Sequence, residues 1–105
     1  MAGDARILVC NLAALTVDQR ARHAAATHRL LKVATREDLA DGFLFTVDPA
    51  DFPAAELAEW VADESRCCPA IDLHLDLPAT GQLRLRIDGG TDVKKFIAAE
   101  LGIDP

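Results

Sequence analysis

The chain has no tyrosine, one tryptophan and four phenylalanines, too few rings to build a base-stacking surface. It also lacks positive charge: 11 Lys and Arg stand against 17 Asp and Glu, a net charge of −6. Nucleic-acid binding needs a basic face, and here only Arg20/Arg22 and Arg29/Lys32 cluster, so nucleic acid is excluded as a partner. Although 50% of the residues are apolar, no apolar run reaches the ~18 residues of a membrane span, which excludes a membrane partner. Met1 to Arg6 and the short run Ile7 to Cys10 lack the long apolar stretch and cleavage site of a signal peptide, so the expected compartment is the cytoplasm. Thiols are normally reduced there, and an odd cysteine count of three argues against a structural disulfide framework. The length of 105 residues fits one domain with a core of its own.

Periodicity and capping signals place the elements. Arg6 to Cys10 reads as a short buried strand. Thr16 and Gln19 have capping-box spacing, which predicts a helix from about Val17 to Lys32. Its expected inward stripe is Val17, Ala21, Ala24, His28 and Leu31, with His23 facing solvent and His28 a boundary histidine. Val33 to Leu39 is a polar strand, Asp41-Gly42 a turn, and Phe43 to Val47 a strand with Phe43, Phe45 and Val47 inward. Asp51 can cap a second helix that has Pro53 in its first turn and runs to about Cys67, with Leu57, Trp60, Val61, Glu64 and Cys67 or Cys68 on its inner side.

Ile71 to Leu77 and Leu83 to Asp88 alternate strictly. Pairing Leu77 with Leu83 sets Asp76 across from Arg84 and His74 across from Arg86, so charge matching supports a hairpin. Thr91 is the expected cap of a last helix with Val93, Phe96, Ile97 and Leu101 inward and Gly102 as its stop. The order β-α-β-β-α-β-β-α predicts an α+β two-layer sandwich, a mostly antiparallel sheet with helices packed on one face. The alanine-rich face of the first helix and the polar strand are each compatible with a homodimer interface or with monomer surface.

The chemistry concentrates in Glu64-Ser65-Arg66-Cys67-Cys68-Pro69, with Cys10 as the third thiol. Glu64 is an acid inside an apolar stripe, one turn before the cysteines. Adjacent side chains on a helix diverge by about 100°, so Cys67 and Cys68 address one site only where the helix loosens, and Pro69 gives it a reason to loosen there. Three thiolates suit a soft ion: Zn(II), Cu(I), Hg(II) or trivalent arsenic. Zinc would need a fourth ligand, from Glu64 or His28. Against this stands the bland reading, in which free cysteine is an apolar core filler. The C-terminal end of a helix disfavours thiolate at Cys67 and Cys68, whereas Cys10 precedes a helix N-terminus. A nucleophile, if present, is therefore Cys10, with Cys68 resolving.

Glu64 to Pro69, the alternating strands that follow, the segment Gly89 to Ile97 and the start Cys10-Asn11-Leu12 together resemble a small family of uncharacterised bacterial proteins. In that family a Glu-x-x-Cys-Cys-Pro motif follows an amphipathic helix. An aromatic residue usually follows the proline there, where this chain has Ala70. The resemblance implies thiol-ligand chemistry of the kind met in heavy-metal and metalloid resistance.

Two active readings and one inactive reading follow. In the first, Cys10, Cys67 and Cys68 bind a soft metal or metalloid ion, or a small thiol-reactive ligand, in the cytoplasm. In the second, Cys10, Glu64 and Cys68 form a thiol enzyme, either a thiol–disulfide reductase or a lyase of carbon–metal bonds with Glu64 as proton donor. In the third, the cysteines are the core of an interaction module.

Overall fold

A computed structural model describes residues 10–104. The predicted strand from Arg6 to Cys10 falls almost wholly outside them. A short 3-10 turn, Leu12–Ala14, leads into α1 (Val17–Val33), then β1 (Thr35–Leu39), β2 (Gly42–Val47), α2 (Ala54–Cys67), β3 (Asp72–Asp76), β4 (Leu83–Asp88) and α3 (Thr91–Leu101). The four strands form one antiparallel sheet in the order β1-β2-β4-β3. The helices cover one face of it, which is the α+β sandwich expected from the sequence.

Alternation decides which side of each strand is buried. Phe43, Phe45 and Val47 of β2 and Leu83, Leu85 and Ile87 of β4 meet Leu30, Leu57, Trp60, Val93, Ile97 and Leu101 from the three helices. The β3–β4 register pairs Asp76 with Arg84 and His74 with Arg86, as charge matching predicts. Behind the sheet, Asp88 accepts from His74 Nε2 and Arg86 Nε, each at 3.2 Å. On the edge strand β1, Arg36 and Asp38 oppose Phe45 and Phe43. Apolar packing ends at that row of charges, and charge on an edge strand discourages further strand pairing.

Gly42 opens β2 opposite Asp88 of β4. A Cβ there would lie 1.9 Å from the Ile87 carbonyl oxygen.

Three local expectations are corrected. The N-cap of α2 is Pro53, without a side-chain cap bond, and Asp51 lies in the preceding turn. The N-cap of α3 is Gly90, at φ 108°, and Thr91 is already helical. The third correction concerns the rotation of α1. Its capping box forms as expected, Thr16 accepting from Gln19 N while Gln19 accepts from Thr16 N. The buried residues of the helix, however, are His23 and Leu30. Val17 is 70% exposed, and Ala21, Ala24 and His28 are exposed as well. Alanine is abundant on helix surfaces because it favours helix, so an alanine stripe does not by itself mark the core.

Candidate thiol and carboxyl site

The end of α2 sets the site. The helix stops at Cys67, and Cys68 leaves helical geometry at φ −126°, ψ 77°, its N–H still bonded to the Glu64 carbonyl. This loosening before Pro69 brings Cys67 Sγ and Cys68 Sγ to 3.7 Å. Two thiolates on one tetrahedral centre with ~2.3 Å bonds would stand about 3.8 Å apart. The segment before α1 supplies the third sulfur. Asn11 N–H donates to the Cys67 carbonyl at 2.6 Å, which fixes Cys10 beside the end of α2. Cys10 and Cys68 are joined as a disulfide with Cα atoms 4.6 Å apart, and Cys67 is a buried free thiol.

The disulfide corrects the expectation of three reduced thiols. An odd cysteine count excludes full pairing but not one pair, and the pair formed is the one the nucleophile-and-resolver reading names.

The fourth member of the cluster is Glu100, in the last turn of α3. Its Oε2 is 2.7 Å from Cys68 Sγ and also touches Cys10 Sγ. Disulfide sulfurs carry no proton, so a hydrogen bond there must come from a protonated Glu100 carboxyl. Burial, together with a hydrogen bond to Glu64 and that carboxylate's charge, pushes the Glu100 carboxyl up to about 8. Glu64 is 2% exposed and lies 2.6 Å from His23 Nε2. It stands 4.0 Å from Sγ of Cys67, the free thiol, whereas Glu100 touches both disulfide sulfurs. The Cys67 thiol is pushed up to about 12, first by burial and then by the charges of Glu64 and Glu100. The helix-end argument anticipated this direction, but desolvation is the larger cause.

No protein-family model, curated protein or solved structure matches the chain. The case therefore rests on the residues themselves. Of those singled out from the sequence, Cys10, Cys67 and Cys68 are brought together, with Glu64 beside them. His28 is not: it is exposed on α1, and the histidine of the cluster is His23, stacked on Trp60 with ring centroids 5.1 Å apart. Trp60 is core, as expected, with its indole N–H donating to Thr27 Oγ1 at 2.7 Å.

Sequence reasoning missed His23, Asp63 and Glu100. The signal for Glu100 was present, since it follows Ile97 by three residues and so lies on the apolar stripe of α3, as Glu64 does on α2. Asp63 is buried and accepts from Arg22 Nη2 at 2.7 Å.

The donor atoms of Cys10, Cys67, Cys68 and Glu100 all lie within 4.8 Å of one another, and those of His23, Glu64 and Cys67 form a second such group. Among the described residues, His23 is the sole basic side chain paired with either acid.

Proposed function

We propose that the reduced protein binds one soft metal or metalloid ion in the cytoplasm through Cys10, Cys67 and Cys68, with Glu100 as the fourth ligand or as proton acceptor, and sequesters or hands it on by thiolate exchange. The observation that carries this reading is the convergence of three sulfurs and a carboxyl oxygen within 4.8 Å. Three thiols and two acids balanced by one histidine are an unfavourable place for thiolates alone, and a cation reverses that, because a coordinating thiol is deprotonated outright. Sulfur donors select Zn(II), Cu(I), Hg(II) or arsenite over hard cations. The resemblance to Glu-x-x-Cys-Cys-Pro proteins and their metal and metalloid setting supports the same reading. In it, the Cys10–Cys68 disulfide is the closed form, because it removes two of the three sulfur donors.

The test is native mass spectrometry of the reduced protein with each ion in turn and a competing small thiol present. One retained ion per chain is expected, with retention falling sharply in Cys10→Ser, Cys67→Ser and Cys68→Ser. Parental retention in all three variants would end the proposal.

The disulfide specifically favours a second reading, thiol–disulfide exchange at Cys10 and Cys68. Here the acid touching the reacting sulfurs is Glu100, not Glu64. This reading predicts turnover of a small disulfide by the reduced protein, lost in Cys10→Ser and kept in Cys67→Ser.

A further inference from the structure

The face of α1 that resembles a core stripe in the sequence forms the wall of a cleft. Ala24, His28 and Leu31 line it, together with Leu12, Leu15 and Leu101, and its volume is about 320 Å³. The cleft adjoins the sulfur cluster through two shared residues. Glu100 lines it and touches the disulfide, and Leu15 lines it while packing on Cys67 and Cys68.

Charge is the observation that points to a ligand. Arg20 and His28 line the cleft, and neither is in an ion pair among the described residues. In a chain of net charge −6, a cleft that combines leucine and alanine walls with a free guanidinium and an imidazole suits a small anion with a short hydrocarbon body.

We infer that this cleft binds a carboxylate-bearing small thiol, which reduces the Cys10–Cys68 disulfide. The carboxylate sits on Arg20 and His28, and the sulfur points past Leu15 toward Cys10. Exposure sets the direction of attack, because Cys10 is partly exposed while Cys68 is fully buried. The incoming thiolate bonds to Cys10 Sγ, the S–S bond breaks, and its electron pair stays on Cys68 Sγ. The thiolate of a second molecule then attacks the sulfur of the first, the bond to Cys10 Sγ breaks, and Cys10 leaves as thiolate. Two thiols leave as one small disulfide, and their two protons end on Cys10 and Cys68. This step rests on the thiol–disulfide reading of Cys10 and Cys68, involves no ion, and stands apart from the ion-binding proposal.

The test uses the whole oxidised protein at pH 7 and three reductants: 3-mercaptopropionate, 2-mercaptoethanol and cysteamine. Disulfide remaining is read by alkylation and mass, and each rate is divided by that thiol's rate with bis(2-hydroxyethyl) disulfide. A charge-assisted contact predicts that the anionic thiol is fastest after normalisation, by about tenfold, with a rate that saturates in its concentration. Arg20→Gln with His28→Gln, both at exposed positions, should abolish saturation and leave the 2-mercaptoethanol rate unchanged. Ala24→Met should slow 3-mercaptopropionate by filling the cleft. The net charge alone predicts the reverse order, with cysteamine fastest. That order, linear kinetics with all three thiols, or an oxidised protein in which Cys10 and Cys68 are not joined would each overturn the inference.

Discussion

His23 Nε2 and Glu64 Oε1 lie 2.6 Å apart, both buried, between α1 and α2. This contact joins a residue that the sequence placed in solvent to the acid that it singled out on an apolar stripe. It also fixes the rotation of α1, because His23 can reach Glu64 only when the alanine face turns outward. Replacing His23 by Phe keeps an aromatic ring against Trp60 but leaves the buried acid without its imidazole. The expected cost is about 1–3 kcal/mol in urea unfolding, the usual price of an unpaired buried polar group. A midpoint equal to the parent's would show that the contact contributes nothing.

The Glu100 carboxyl makes stability depend on pH in a stated direction. Its folded value is raised to about 8 from an ordinary 4.5, so between these values the folded state holds the proton that the unfolded state has lost. Stability contributed by this group is therefore full at low pH and declines as pH rises from about 4.5 through 8. Glu100→Gln should flatten that decline in chemical denaturation of the oxidised, ion-free protein. An unchanged slope in the variant would remove Glu100 as its source.

Cys67 should be chemically silent in the folded state. It is 1% exposed and its thiol is pushed up to about 12, so little thiolate is present at neutral pH. Iodoacetamide should add nothing to the folded oxidised protein and one adduct in urea. Fast labelling of the folded form would contradict its burial, and three adducts in urea without reductant would contradict the disulfide.

The disulfide closes a long loop, with 58 residues of sequence separation, and chain-entropy arguments assign such a crosslink about 4 kcal/mol. Reduction should therefore lower the unfolding midpoint in denaturant, and added soft ion should restore part of it by binding only the folded state. If the ion fails to restore it although the reduced protein retains the ion, the site survives in the unfolded chain.

Gly42→Ala tests the sheet apart from the site. With a Cβ 1.9 Å from the Ile87 carbonyl, β2 and β4 must separate, and overpacking of this kind costs about 1–3 kcal/mol or more. A variant as stable as the parent would mean that the two strands yield there freely.

The sequence by itself determined the strands from β1 to β4 and the β3–β4 hairpin, the helix spans and the thiol motif. Period-two alternation fixed the faces of Phe43 to Val47 and Leu83 to Asp88, and charge opposite charge fixed the hairpin register. Thr16 and Gln19 fixed the start of α1, and Pro69 announced the loosened end of α2 that lets Cys67 and Cys68 face one site. These signals are local, or act between neighbouring strands, so a linear pattern carries them.

Tertiary structure alone decided the rotation of α1, the disulfide and the fourth member of the cluster. Helical periodicity states which residues share a face, but not which of two competing faces the rest of the chain covers. In α1 the buried contact of His23 with Glu64, and the half-exposed Arg22 reaching the buried Asp63, prevailed over an alanine stripe. Glu100 meets Cys10 across 90 residues of sequence. Such a meeting depends on how α3 lies on the sheet, and no spacing within either segment encodes it.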